Sequence, residues 1–410
     1  MDLARLSKSP IGQLVDISGF DGRFNEEYKT QAYLPDPLPQ QLTLGGSTYK
    51  LIADAAAWVA RADQAVRQLP NPSLVVRPTI RREAVDTSAL EGTFAAFTDI
   101  LEADFLDEDE LSDSVSEVRN FVLAAEHALR WVAAGRPITI QLIEDVQRIL
   151  VRGTPADTIE AGHIRTTQVM IGLGKGQRVQ QARFVPPPPT PAARLRQDVD
   201  EWVAWVQAMP SDRHVISQAA MAHYQFETLH PFNDGNGRLG RLVALLQLIL
   251  AGDLQSFVMN LSPWLKEHQE AYQDGLFEVS ATGEWGPWIE FFCQALVAHG
   301  REAVDRVQEL LSIRQSLLGQ IKKLDIRGTA ATLAGDLIGY PMITATTVKD
   351  LYGVSPQAAN TAVGRLAGAG ILRQRTAGRY ARIFSCDQVL ALLDRPYRGG
   401  ERADYEASGS

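Results

Sequence analysis

Cysteine is almost missing from this chain. Cys293 and Cys386 are its only two, far apart and outside any ligand spacing, which excludes a disulfide framework and a zinc site and leaves each to pack as a small apolar residue. Long apolar runs are missing too. The longest, Leu242 to Ala251, contains Gln247 and is too short to span a bilayer, and Met1-Asp2-Leu3-Ala4-Arg5 lacks the charged-then-apolar build of a signal peptide. A cytoplasmic protein with no membrane partner is the expectation. There is no excess of basic charge either. A net charge of −9 disfavours indiscriminate nucleic-acid binding, although a local patch can differ from the whole. Strand signals are sparse, and no internal repeat is visible.

The 410 residues are 45% hydrophobic, enough for the cores of two or three domains. Apolar residues recur at three and four over 49–69, 79–105, 114–134, 139–151, 191–207 and 215–229, as in one-sided helices. Further helices are expected over 237–250, from Ser262-Pro263 as hydroxyl cap and first-turn proline, and from 286 to about 322. Residues 1–47, rich in Pro, Gly and polar side chains, read as an extended arm with no core of its own. Thr166 to Ile171, a glycine-rich tip and Val179 to Val185 read as a hairpin, stopped by Pro186 to Pro189, which cannot donate to a ladder. Residues 345–390 read as a winged helix-turn-helix, with helices over 346–352 and 356–369 and two basic strands broken at Thr376-Ala377-Gly378. From Thr346 to Arg398 eight Lys/Arg face three Asp/Glu, a net of +5 that leaves −14 for the remainder and marks a boundary near 325–345. The expected fold class is mainly α, a helical bundle with a hairpin, followed by a small α+β domain.

The chemistry concentrates in His230-Pro231-Phe232-Asn233-Asp234-Gly235-Asn236-Gly237-Arg238-Leu239-Gly240-Arg241, between two helical runs. A loop entering a helix at Gly237 is a natural anion seat, since the first amides of a helix are unpaired and its dipole is positive there. Gly235 and Gly237 allow close backbone approach. Arg238 and Arg241, three apart, share a helix face and could bind successive phosphates. Asp234 could hold Mg²⁺ against those phosphates, and His230 is a candidate base. Two rival readings fail on the residues. A Walker A loop needs Gly-Lys-Ser/Thr where this chain has Gly-Asn-Gly-Arg, and a di-iron site built on Glu227-x-x-His230 needs a second such pair.

Residues 230–241 match the motif HPFx[D/E]GN[G/K]RxxR of the Fic family at every defined position, and Gly162-His163-Ile164-Arg165 with Ala182 to Pro188 resembles that family's flap. In all, 33–310 is similar to Fic proteins. The resemblance implies a Fic-type helical bundle that transfers AMP from ATP to a Tyr, Thr or Ser hydroxyl of a target protein, and of the chain itself. It implies His230 as the base, Asp234 as the Mg²⁺ ligand, and a nucleotide site of Glu91, Glu227, Gly235, Asn236, Gly237, Arg238, Leu239, Gly240, Arg241, Tyr272 and Gln273. Family members often carry a Tyr-Tyr pair where this chain has Tyr272-Gln273. The flap edge, Thr167, Gln168, Val169, Met170 and Ile171, would pair with a target strand. The expected parts are an arm over 1–47, an inhibitory helical region over 48–112, a catalytic core over 113–325, a winged helix over 326–398 and a disordered tail over 399–410.

Thr87-Ser88-Ala89-Leu90-Glu91-Gly92 matches the family's inhibitory pattern [S/T]xxxE[G/N], which implies a helix-borne Glu91 pairing with Arg241. The same glutamate could instead position a water that strips AMP from a modified protein. A rival of a different class is a DNA-binding regulator with a sensor core, reading DNA through Gln357, Asn360, Thr361 and Arg365 on the second helix and Arg373, Arg375 and Arg379 on the wing. Protein docking or homodimerisation are the other uses of such a module.

Overall fold

The computed structural model describes residues 1–69, 71–173, 176–189, 194–208, 213–376 and 382–397. Its helices, in chain order, are α1 (Leu3–Leu6), α2 (Gly46–Arg67), α3 (Ser73–Leu90), α4 (Phe97–Glu102), α5 (Asp113–Ala133), α6 (Ile140–Val151), α7 (Arg194–Gln207), α8 (Val215–Leu229), α9 (Asn236–Leu250), α10 (Ser262–Glu267), α11 (Gln269–Thr282), α12 (Trp285–Lys323), α13 (Thr329–Asp336), α14 (Ala345–Tyr352), α15 (Pro356–Gly368) and α16 (Asp387–Asp394). The strands are β1 (Gly12–Asp21), β2 (Glu26–Pro35) and three of two residues each, β3 (Met342–Ile343), β4 (Arg373–Gln374) and β5 (Phe384–Ser385). Among the described residues no helix is long and apolar enough to cross a membrane. Both cysteines are buried thiols, and burial pushes that of Cys293 up to about 12.

The chain forms two compact units. The first comprises Met1–Ala57, Leu123–Leu254 and Leu265–Leu296. Its centre is the pair α8 and α9, buried almost throughout, polar residues included, so that both are wrapped by other elements. Trp202 of α7 and Trp288 of α12 lie against α8 and donate their indole N–H groups to the carbonyls of Ala222 and Ala220, at 2.9 and 2.8 Å. Gly240 lets α9 approach α8: a Cβ there would stand 3.1 Å from His223 Nδ1 and 2.8 Å from Glu227 Oε1.

Two sequence expectations in this unit need correction. Residues 12–35 are an antiparallel ribbon in full register from Gly12↔Pro35 to Asp21↔Glu26, not a structureless arm. Asp21 accepts the Arg23 amide at 3.1 Å to close the turn, and Ala32 and Tyr33 are buried against Ala182, Val185, Leu6 and Ala281. Conversely, the hairpin expected over 166–185 reduces among the described residues to one bridge, Ile171↔Phe184. Its second arm turns into a 3-10 helix at Val179–Gln181, with Gln181 accepting the Arg178 amide, and the prolines from 186 remove donors beyond it.

The second unit comprises Trp58–Val122, Gln255–Trp264 and Val297–Ser410. A third correction falls here. The helical pattern read over 79–105 is two helices, α3 and α4, and Glu91 is the exposed C-cap of α3 rather than a residue within it. Ser262, expected to cap α10, instead donates its hydroxyl to Glu83 of α3, which also accepts the Leu261 and Ser262 amides. A buried carboxylate thus replaces the hydroxyl cap, and burial raises its pKa. Further on, Ser355 caps α15 through the Ala358 amide and Pro356 opens it, while β3, β5 and β4 form a three-stranded antiparallel sheet. Arg82 of α3 donates to Leu393 O at the end of α16, at 2.7 Å. The tail expected over 399–410 lies outside the described residues.

Candidate active site

All twelve motif residues lie in the first unit, in the turn from α8 into α9. His230 ends α8 in the left-handed conformation, φ 47° and ψ 61°. That backbone costs a β-carbon residue about 1–2 kcal/mol and aims the ring out of the helix. Its Nδ1 lies 3.3 Å from Glu227 O. A carbonyl only accepts, so Nδ1 is the donor in this contact, and in the neutral ring it is Nε2 that carries the lone pair a base requires.

The turn is locked internally. Asn236, buried, accepts the Phe232 amide at 2.9 Å and donates to Phe232 O at 2.8 Å, closing the loop on itself. Gly235, at φ 82°, caps α9, and the first intrahelical bond is Leu239 N–H to Gly235 O at 3.0 Å. The amides of Asn236, Gly237 and Arg238 therefore precede the helical ladder, and they form the anion-seeking end of α9. Arg238 and Arg241, 1% and 2% exposed, lie in the first and second turns of that helix, so two guanidinium charges are carried near its start with little solvent around them. Asp234 accepts from Gly235 N–H at 2.5 Å and from Arg238 at 3.3 Å, yet its side chain is 47% exposed. A half-exposed carboxylate fits Mg²⁺, which takes one or two carboxylates and fills its other positions with substrate phosphates and water. Among the described residues no cluster of three or more His, Cys, Asp or Glu forms a complete metal cage.

The sequence reading missed the residues that hold this turn. Arg165 is buried and gives its guanidinium to four backbone carbonyls, at 2.8 Å to His230, 2.9 Å to Thr167, 2.7 Å to Pro187 and 3.4 Å to Leu229. Burial lowers its pKa to about 10. Gln147 of α6 donates to Asp234 O at 3.1 Å and accepts the Gly162 amide at 2.5 Å. At the rim, Thr167 donates to Asn233, while Thr166 and Asn233 both donate to Glu160 and hold its carboxyl below the usual range. Arg165 had a sequence signal in the Gly-x-x-Arg segment, Asn233 in the motif and Thr167 in the flap edge, whereas Gln147 and Glu160 had none.

Residues 137–248 match the Fic/DOC family, and residues 49–130 match the Fic/DOC family N-terminal region. The chain carries Fic/DOC family domains. It is 30% identical over 177 residues to the protein adenylyltransferase Fic of Aedes aegypti, spanning 42% of this chain and 31% of that one. With the protein adenylyltransferase fic-1 of Caenorhabditis elegans it shares 38% over 97 residues, or 24% and 17% of the two chains. The match thus spans about a third or less of these curated relatives. The crystal structure of a Fic family protein from Desulfovibrio desulfuricans G20 superposes with a TM-score of 0.54 at 21% identity, over 85% of this chain and 98% of that one, a likeness of fold.

Of the other residues expected around the Fic nucleotide site, Tyr272 is buried on α11 with its hydroxyl 2.8 Å from His223 Nε2, and Gln273 beside it is half-buried. Leu239 and Gly240 are buried in the α8–α9 contact, where Gly240 serves packing. Glu227 faces that contact from α8. Glu91 belongs to the second unit. Gln168 donates to Pro186 O at 2.9 Å, so the flap edge is held at both Thr167 and Gln168 without being a strand. In the second unit Gln357, Asn360, Thr361, Arg365, Arg373 and Arg375 are all exposed, but Arg373 is paired with Asp387 at 2.6 Å and Arg375 with Glu102 at 2.7 Å. Arg379 lies outside the described residues.

Proposed function

We propose that the protein transfers AMP from ATP to a hydroxyl side chain of a target protein. The observation that carries this reading is the pairing of a base with a cradle: His230 has Nδ1 committed to Glu227 O at the mouth of the α9 amides and their two buried arginines. The homologues named protein adenylyltransferase support it. In the step, His230 Nε2 takes the proton of the target hydroxyl as its oxygen bonds to the α-phosphorus. The bond from that phosphorus to the β-bridging oxygen breaks, and pyrophosphate leaves with the electron pair. The amides of Asn236, Gly237 and Arg238 at the start of α9 and the guanidiniums of Arg238 and Arg241 hold the phosphates in line. Asp234 would hold Mg²⁺, which supplies neutralisation of the phosphate charge. Glu91 acts as a brake through Arg241, and Thr167 to Ile171 receive the target segment.

Incubation with ATP labelled at the α-phosphate and Mg²⁺, followed by intact-mass analysis, tests this. An added adenylyl group on the chain or on a co-incubated protein, absent in His230→Ala, is the expected result. Release of AMP from a modified protein without any incorporation would favour the reverse reaction at the same site.

A second reading, that a winged helix at the carboxyl end binds DNA, is favoured by the exposed side chains of α15 and the +5 balance of residues 346–398. Anisotropy of labelled duplex DNA against salt tests it: steep salt dependence supports it, and no binding at low salt points to protein docking.

A further inference from the structure

Arg165 does two jobs with one planar group. Its Nε donates to the carbonyl of His230 and its Nη1 to the carbonyl of Thr167, while Nη2 reaches Pro187 and Leu229. Its own amide donates to Pro231 O at 2.9 Å. The catalytic turn and both sides of the flap are therefore tied through a single side chain that is 2% exposed and has only carbonyls as partners. A guanidinium with carbonyl partners and no carboxylate is costly to bury, and what it obtains in return is geometric: five donors in a rigid fork fix several carbonyls at set angles.

We infer that Arg165 is a positioning residue, which sets the left-handed backbone of His230 and the target-receiving edge at Thr167 in one register. The inference rests on the adenylyl-transfer reading for its consequence in catalysis, but not for its geometry. His230 is one of three non-glycine residues with positive φ among the described residues, and its carbonyl is the one Arg165 Nε holds. Such a backbone persists only where neighbours over-determine it. On the flap side a single bridge, Ile171↔Phe184, is the only strand pairing among the described residues, so Thr167 is held by side chains: its own hydroxyl bond to Asn233, those of Thr166 to Glu160 and Gln168 to Pro186 O beside it, and the Arg165 guanidinium on its carbonyl. The base and the edge that would present the substrate hydroxyl are thus set at a common distance by the span of one guanidinium. A misplacement of about 1 Å between such groups costs on the order of a hundredfold in rate. Lysine, with one point of charge on a flexible stem, can keep a cation in place but cannot hold His230 and Thr167 together.

The test compares Arg165→Lys with the wild type in three readouts. Calorimetry with Mg-ATP should give an affinity within about threefold of wild type, because the α9 amides, Arg238 and Arg241 are untouched. AMP incorporation should fall about a hundredfold, with KM for a target peptide raised as well as kcat lowered. Hydrogen exchange by mass spectrometry should quicken together in peptides covering 166–171 and 228–235 and stay slow in α9. Unchanged transfer, or quickened exchange in only one of the two segments, overturns the inference. Loss of nucleotide binding with faster exchange throughout the first unit also overturns it, since that reports a general structural role. Should Arg165→Lys not fold, the wild type decides: exchange of the Ile171 and Arg165 amides, which donate to Phe184 O and Pro231 O, must be slow and must quicken together under mild urea, and independent opening sinks the idea. Absence of AMP transfer in the wild type would count against the proposed function alone, the exchange data still deciding the role of Arg165.

Discussion

His223 sets a limit on acid stability that can be worked out from its surroundings. The ring is 2% exposed in α8, its Nε2 is 2.8 Å from the Tyr272 hydroxyl, and it stacks on Tyr272 and Trp288 at 5.8 and 6.2 Å. Burial first, then the positive charge of Arg241, lowers its pKa from 6.5 to about 3. The folded value lies below the unfolded one, so this contribution is complete above pH 6.5 and is lost as the pH falls toward 3, the unfolded chain taking up a proton that the folded protein refuses. Each pH unit in that window removes about 1.4 kcal/mol, so the change from pH 7.5 to 4.5 removes about 2.7 kcal/mol through this ring alone. Against a total stability of roughly 5–15 kcal/mol that is a large share. His223→Gln keeps a donor and an acceptor and does not titrate. Urea unfolding at pH 7.5, 6.0 and 4.5, followed by tryptophan fluorescence, should show the variant less stable at pH 7.5 yet losing about 2.7 kcal/mol less over the interval. Equal losses in wild type and variant would refute the picture of a ring kept neutral by burial.

Glu91→Gly should raise self-incorporation of AMP; a hundredfold rise corresponds to about 2.7 kcal/mol, within the roughly 1.5–3 kcal/mol of a charged hydrogen bond, and equal labelling of the two proteins discards the brake. Asp234→Asn should lower AMP incorporation at least tenfold at fixed Mg²⁺, with partial recovery as Mg²⁺ is raised in a titration, whereas an unchanged magnesium dependence would remove Asp234 from the ion's surroundings. Asn236→Ala should lower the urea midpoint by about 1–3 kcal/mol of stability, because the Phe232 amide and carbonyl lose their partners in a buried turn.

The centre of the site was legible in the sequence because its chemistry is local. His230 through Arg241 are contiguous, and the placement of the loop between two helices needed only apolar spacing on either side. The brace around it was not. Arg165 and Gln147 act on Asp234 and His230 from 60 to 90 residues away through backbone carbonyls, and a carbonyl has no sequence signature. The amino-terminal ribbon failed for another reason. Val15, Asp16, Ile17 and Ser18 hint at alternation and Asp21-Gly22 marks a turn, but the prolines at 35, 37 and 39 dominate the composition of the segment and suggest an arm. The flap erred the opposite way: β-branched residues at 166–171 have strand propensity, yet pairing depends on a partner that curls into a 3-10 turn.

The repulsion between Arg241 and His223 ties the candidate nucleotide site to the acid response. Arg241 lowers the histidine's pKa, so any anion that neutralises Arg241 must raise it, although burial, the larger cause, still keeps the ring neutral at pH 7. By linkage, a polyphosphate bound at Arg241 then binds more tightly when His223 is protonated. Stabilisation of the fold by saturating Mg-ATP should therefore grow as the pH falls from 7.5 toward the ring's folded value of about 3, reaching the full amount of the pKa rise only below it, and the excess should vanish in His223→Gln. Stabilisation that is independent of pH in the wild type would place the bound phosphates away from Arg241, and with them the outer end of the nucleotide.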